Sequence, residues 1–147
     1  MNAENRTLRT SRIVPFPPEK VYGAFAAPDI LATWWGPDGF TNTFEVFDFN
    51  VGGQWKFVMH GPDGKNYPNE NVFAALEPGR TVVIRHDCAP YFTLTVQLAP
   101  VAEGTHLIWE QVFNDAETAQ AIKKIVDPAN EQNIDRMTRA LNGRNTA

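Results

Sequence analysis

The chain has 147 residues and a formal net charge of −4, from 13 basic and 17 acidic side chains; this length fits one domain, residues 1–147, able to bury roughly 70% of its unfolded surface. No basic run or stripe is present, which argues against a nucleic-acid partner, and no apolar run approaches the roughly 18–20 residues of a membrane span, so no membrane partner is expected and the cytoplasm is the expected location. Cys88 is the one cysteine and Ser11 the one serine, which excludes an intrachain disulfide and leaves little room for a serine nucleophile.

Residues 7–14 read as a first strand, ended by Pro15-Phe16-Pro17-Pro18. Pro18 suits the first position of a helix, where an N–H has no intrahelical partner to lose. The helix predicted over about 18–26 carries Val21, Tyr22 and Phe25 on one side. Pro28-Asp29 restarts a short helix through Ile30, Leu31 and Trp34, stopped by Gly36-Pro37.

From residue 40 to 113 the pattern is almost entirely strand-like. Phe44 to Phe49 is a strand, and Gly52-Gly53 lets the chain turn sharply after it. Trp55, Phe57 and Met59 then alternate with Gln54, Lys56 and Val58, the period-two signature of a strand with one apolar face. Pro62-Asp63-Gly64 supplies a hairpin turn. The return strand, about 67–76, contains Pro68 and should begin at an edge or bulge. Further strands follow at Thr81–His86, at Phe92–Leu98 with its clean alternation, and at Thr105–Phe113. Short turns between successive strands predict an antiparallel meander.

Residues 114–143 read as helical. Asn114 with Glu117 resembles a capping box, and Asp127-Pro128 predicts an internal restart or kink. Ile122, Val126, Ile134, Met137 and Leu141 share one broad face, with Arg136 and Arg139 towards the other side. A sheet that is apolar on one face must bury it, and this is the one element large enough to do so. The predicted class is α+β.

The order strand, two short helices, six strands and a long terminal helix is the helix-grip arrangement. Pro17-Pro18-Glu19-Lys20-Val21-Tyr22-Gly23-Ala24-Phe25, Pro28-Asp29 with Trp34-Trp35-Gly36-Pro37, Asp48-Phe49-Asn50-Val51-Gly52-Gly53-Gln54-Trp55, Met59-His60-Gly61-Pro62-Asp63-Gly64 and Tyr67-Pro68-Asn69-Glu70 follow one another. With Gly104-Thr105-His106-Leu107-Ile108-Trp109 and the helix ending in Asp135-Arg136-Met137 and Leu141, the chain resembles the activator-of-chaperone-ATPase-homologue-like family of the START-like, birch-pollen-allergen-like superfamily. The resemblance spans nearly the whole chain. It implies a curved antiparallel sheet of seven strands gripping the terminal helix, with a cavity between them that often holds an apolar small molecule. The founding chaperone activator is described as having an additional N-terminal domain; here the first strand begins near residue 7, so a co-chaperone role is not the expectation.

The inward residues expected to line such a cavity are Trp35, Trp55, Phe57, Met59, Tyr67, His86, Leu94, Trp109, Gln111, Ile134, Met137 and Leu141. Few polar groups are expected among them. Gln111 shares the parity of Leu107 and Trp109 and gives a polar handle, which turns Glu110 outward. As lone residues, His60 and His86 read first as hydrogen-bonded structural groups. His86 and Cys88 lie two apart and share a strand face, but sequence fixes no third group to orient the pair as a nucleophile needs.

The expected function is therefore a small-molecule binding protein for an apolar or mixed ligand, with no catalytic residue assigned. An enzyme of the cyclase, dehydratase or hydrolase kind would need an acid or base in the cavity, and Tyr67, His60, His86 and Gln111 are its candidates. A chaperone-associated interaction role is the third reading. No nucleotide-binding glycine motif and no paired Cys or His at metal spacing occurs, so no cofactor or metal is expected. Monomer and homodimer are both open.

Overall fold

The computed structural model describes residues 3–145, with side chains for residues 5–143. After a 3-10 turn at Ala3–Arg6 come β1 (Thr7–Val14), α1 (Pro18–Ala26) and α2 (Pro28–Trp34). Six strands follow: β2 (Thr41–Phe47), β3 (Gln54–His60), β4 (Asn66–Glu77), β5 (Thr81–His86), β6 (Phe92–Val101) and β7 (Gly104–Phe113), and then α3 (Ala116–Asn145). The seven strands form one antiparallel sheet in the order β1-β7-β6-β5-β4-β3-β2. This is the helix-grip arrangement, with the long helix against β1 and β7 and touching both short helices. No helix among the described residues is long and apolar enough to cross a membrane.

The local sequence explains the elements. Pro18 and Pro28 occupy the first turns of α1 and α2, and Ala27 closes one helix and opens the other in an extended conformation. Val21, Ala24 and Phe25 recur at helical spacing and are fully buried. Trp34 is also fully buried, and its indole Nε1 donates to the Ala24 carbonyl at 3.1 Å, pinning α2 against α1. The sheet face opposite the helices supplies Trp55, Phe57, Phe73, Val82, Ile84, Leu94, Val96, Leu107 and Trp109 to the same core. At Pro68, β4 is flanked by β3 alone, because its pairing with β5 begins at Asn71. The proline therefore lies on a locally open edge, as its missing N–H requires.

Four local expectations are corrected. Strand β2 runs Thr41–Phe47 and leaves Phe49 outside it, packed edge-on against Phe73 at 4.9 Å. The α3 cap lies one residue later than Asn114: Thr118 N donates to Asp115 Oδ1 at 2.7 Å, which also holds the Asp115 carboxyl below the usual carboxylate range. Asn114 is instead tied back to the sheet, its N–H donating to the Tyr91 carbonyl. Pro128 does not restart the helix, for α3 runs through it unbroken. Pro128 and Lys124 are both exposed, so the carbonyl that loses its i+4 donor faces water. Asp127 accepts from Lys123 Nζ at 2.6 Å rather than capping. The fourth, the placement of Arg136, belongs to the cavity below.

The double glycine does two separate things. Gly52 has φ +83°, a left-handed turn residue. A Cβ on Gly53 would overlap the Asp48 carbonyl oxygen and crowd Asn50 O at 2.9 Å, so the β2–β3 connection closes on bare backbone. Gly53→Ala is expected to destabilise the fold by about 3 kcal/mol, the range of an overpacked interior. Urea denaturation measures this, and a loss under about 0.5 kcal/mol would contradict the account.

Candidate ligand cavity

Directly opposed residues in an antiparallel sheet share a face, and the register makes two rows across the concave surface. Asn71 pairs with His86 and His86 with Phe92; Ile84 pairs with Leu94 and Leu94 with Gln111. These rows, with Phe57, Met59, Asn69 and Trp109, form the floor of a cavity of ≈ 260 Å³. Its roof is Trp35-Gly36-Pro37 and the α3 residues Val126, Ala129, Asn130 and Asn133. Larger depressions on the outer surface are open to solvent; the one between α1 and the β4–β5 turn, of ≈ 570 Å³, carries Glu19 and Arg80.

The roof is held by Arg136. Its Nη1 donates to the carbonyls of Trp35 (3.4 Å), Gly36 (2.8 Å) and Pro37 (2.8 Å), and its Nη2 to those of Thr33 (3.1 Å) and Phe40 (2.8 Å). Arg136 thus points at the α2–β2 loop, not away from the core face as its helical position suggested. Burial pulls its pKa below the ordinary guanidinium value, with Asp38 opposing. Asn133 Oδ1 accepts from Gly36 N at 3.2 Å, adding a second tie from α3. Gly36 itself has φ +100°, and a Cβ there would come within 2.7 Å of Met59 Cε, so the chain can pass over the floor only as glycine.

The polar content is higher than the sequence suggested, and all of it is neutral. Asn130 Nδ2 donates to Gln111 Oε1 at 2.7 Å. Asn71 Nδ2 donates to the Trp55 carbonyl at 3.2 Å, which leaves Asn71 Oδ1 to accept from His86 Nδ1 at 2.9 Å. His86 therefore carries its proton on Nδ1, and its bare Nε2 faces Cys88 Sγ at 3.4 Å. Burial lowers the His86 pKa, with the neighbouring Asp87 acting the other way, so the ring is neutral at pH 7. Phe92 stacks on it at 4.5 Å. Gln111 Nε2, Asn69 Oδ1, Asn130 Oδ1, Asn133 Nδ2 and the buried Trp109 Nε1 have no protein partner among the described residues. No Asp, Glu, Lys or Arg lines the cavity, and no group of three His, Cys, Asp or Glu among the described residues could hold a metal.

The family model described as "Activator of Hsp90 ATPase homolog 1-like protein" matches residues 15–142. The chain belongs to this family. Solved structures agree on its fold. A protein of Nitrosomonas europaea superposes with a TM-score of 0.90 at 18% identity, covering 100% of both chains. One of Chromobacterium violaceum has a TM-score of 0.82 at 27% identity, over 90% of this chain and 95% of that one. The AHSA1-like protein of Aeromonas hydrophila has a TM-score of 0.77 at 18% identity, over 96% of this chain and 95% of that one. No curated protein matches.

Within this AHSA1-like fold, Trp35, Phe57, Met59, His86, Leu94, Trp109 and Gln111 reach the cavity. Trp55, Ile134, Met137 and Leu141 do not; they are core, at most 2% exposed, with Trp55 stacked on Phe57 at 4.5 Å. Tyr67 is a correction. It pairs with Met59 near the turn of the β3–β4 hairpin, where it is 41% exposed, packs on the Phe40 ring at 5.9 Å and does not line the cavity. His60 lies outside too, bonded to Thr43 Oγ1 (2.8 Å) and Asn66 Oδ1 (2.7 Å). Of the four acid–base candidates only His86 and Gln111 reach the cavity. Glu110 faces outward beside Arg9 Nε at 3.5 Å. The sequence reading missed Asn71, Asn130 and Asn133. The spacing of Asn130 and Asn133 with Ile134 and Met137 is the signal that would have found the last two.

Two outcomes follow from this geometry. Arg136→Lys is expected to cost about 2–3 kcal/mol, because one ammonium cannot serve five separated carbonyls and charge-assisted bonds are lost; equilibrium unfolding within about 0.5 kcal/mol of wild type would refute the clamp. His86 favours its neutral form in the fold, so its contribution is complete above its unfolded pKa near 6.5 and falls as pH drops below that value. Stability measured at pH 7.5 and 5.5 should drop on acidification in wild type and drop less in His86→Gln. Equal slopes in the two proteins would show that His86 is not the group responsible.

Proposed function

We propose that this protein binds a small, uncharged, partly apolar molecule between its sheet and its terminal helix. The observation that carries the reading is the chemistry of the wall. Aromatic and aliphatic side chains surround amide atoms without protein partners, Gln111 Nε2, Asn133 Nδ2, Asn130 Oδ1 and Asn69 Oδ1, and no charged side chain lines the cavity. Burying an ion in such a wall is costly without a counter-charge, whereas a hydroxyl, carbonyl or amide finds both donors and an acceptor. The volume, ≈ 260 Å³, lies just under the roughly 300–1,000 Å³ typical of drug-sized ligands, so the occupant is compact.

Ala129 sits on the roof with only a methyl group facing in. Ala129→Phe should fill the space and weaken any ligand found by native mass spectrometry or dye displacement at least tenfold, with the melting temperature kept or raised. Gln111→Leu should weaken a polar ligand about tenfold, the worth of one buried hydrogen bond. A screen of neutral compounds in which Ala129→Phe binds every hit as tightly as wild type would place the binding elsewhere and sink the reading.

A further inference from the structure

Two side chains of the cavity floor, Asn71 and His86, and Cys88 next to them stand in a chain of contacts that small-molecule binding does not need. Trp55 O fixes the Asn71 amide, Asn71 Oδ1 fixes the His86 tautomer, and the unprotonated His86 Nε2 faces the Cys88 thiol at 3.4 Å. The register places Asn71 directly across from His86, so the order holds along two paired strands rather than in a loop. Asn71 and His86 are 5% and 8% exposed. Cys88, two residues past His86 on the connection to β6, is half-buried and free, so the base is sheltered while the sulfur can be reached. The charged neighbours are turned to each other: Arg85 Nε and Nη2 clasp the Asp87 carboxylate at 2.7 and 3.1 Å.

We propose that Cys88, His86 and Asn71 form an activated thiol site at the edge of the cavity, at which an uncharged electrophile such as an α,β-unsaturated carbonyl compound is captured. His86 acts as the base, and Asn71 is the positioning residue that aims it. In the step, the Sγ–H proton passes to His86 Nε2. A sulfur electron pair forms the S–C bond at the β-carbon, and the C=C π electrons move to the carbonyl oxygen as an enolate. The enolate α-carbon then takes the proton back from Nε2–H. The net change is addition of S–H across C=C, with no oxidation and no leaving group. The site borrows from the binding reading only the neutrality of its ligand.

The test uses N-ethylmaleimide, a neutral unsaturated dicarbonyl, with adduct formation followed by intact mass. Cys88 is the one cysteine of the chain, so every adduct reports on it. A free thiol is only a few per cent ionised near neutrality, so complete activation is worth up to about thirtyfold at pH 7. The native protein should react about tenfold faster than the same chain in denaturant, after correction for the denaturant's effect on a small thiol. His86→Gln should remove that advantage. Asn71→Leu should remove most of it and Asn71→Asp restore it, since either an amide or a carboxylate oxygen can hold Nδ1–H, whereas a merely structural Asn71 would give no such split. Folding of each variant is checked by thermal melting. If one fails to fold, the native-to-denatured ratio of wild type still decides. A native rate at or below the denatured rate overturns the proposal, as does a folded His86→Gln that reacts like wild type. A ligand screen without hits would leave these rates unchanged, so the two readings fail separately.

Discussion

The cavity depends on one guanidinium. The segment from Thr33 to Phe40 leaves α2 and crosses to β2 with its carbonyls turned inward, and backbone oxygens in such a place need donors. Arg136, reaching over from α3, serves five of them with two nitrogens. Its fork suits this task better than a point charge, and it stays protonated at any relevant pH. With Asn133 and Gln132 of the same helix, it ties the loop to α3 and fixes Trp35, Gly36 and Pro37 over the sheet. Trp35 is then fixed from three sides, with Trp34, Trp55 and Trp109 rings at 5.6, 5.0 and 5.8 Å. The roof is suspended from the helix and meets the floor where Trp35 packs on Trp109 and Gly36 comes close to Met59.

The ion pairs elsewhere serve a different end. Arg12 of β1 meets Glu131 at 2.9 Å and Asp135 at 2.5 Å, and Thr10 also bonds Glu131. Asp135 is the chief cause of the raised Arg12 pKa. These groups are a third or more exposed, so each contact is worth at most about 1 kcal/mol. Their value is positional: they set α3 along the β1 edge of the sheet, which brings Asn130, Asn133 and Arg136 over the floor.

The fold was legible because its signals are local. Alternation in β3 and β6, the prolines that open α1 and α2, and the turn at Pro62-Asp63-Gly64 each act over a few residues, and they agreed with one another. Gln111 was found by parity alone, since a strand offers only two faces. The amides of the cavity were not legible in the same way. Asn71, on a strand paired on both sides at that point, and Asn130 and Asn133, on a helix rich in polar residues, are polar side chains with no chemical motif to mark them, and the register and the helix placement bring them together. Tyr67 fails for the opposite reason: its parity is inward beside Met59, but it sits near the turn of the hairpin, exposed and outside the cavity lining. The unbroken course through Pro128 is likewise a matter of exposure, since a lost hydrogen bond matters less where water can replace it.

The distribution of charge bears on how the cavity would discriminate. Every ion pair among the described residues lies at the surface, and the cavity wall holds none of their members. No charged side chain on the wall would therefore pair directly with an occupant. Selection would be left to shape and to the unpartnered polar atoms of the wall, and these are unequal. An apolar wall tells ligands apart by one methylene at about 1–3 kcal/mol, whereas a site built around hydrogen bonds rejects an analogue that lacks the partner far more strongly, because its own buried groups are then left unpaired. Gln111 of the sheet meets Asn130 of the helix across the gap, with Asn133 on the same helix, and their free amide atoms sit on a fixed frame. For the proposed ligand, the wall would set how large an occupant can be, while the amides would set which polar pattern it must carry.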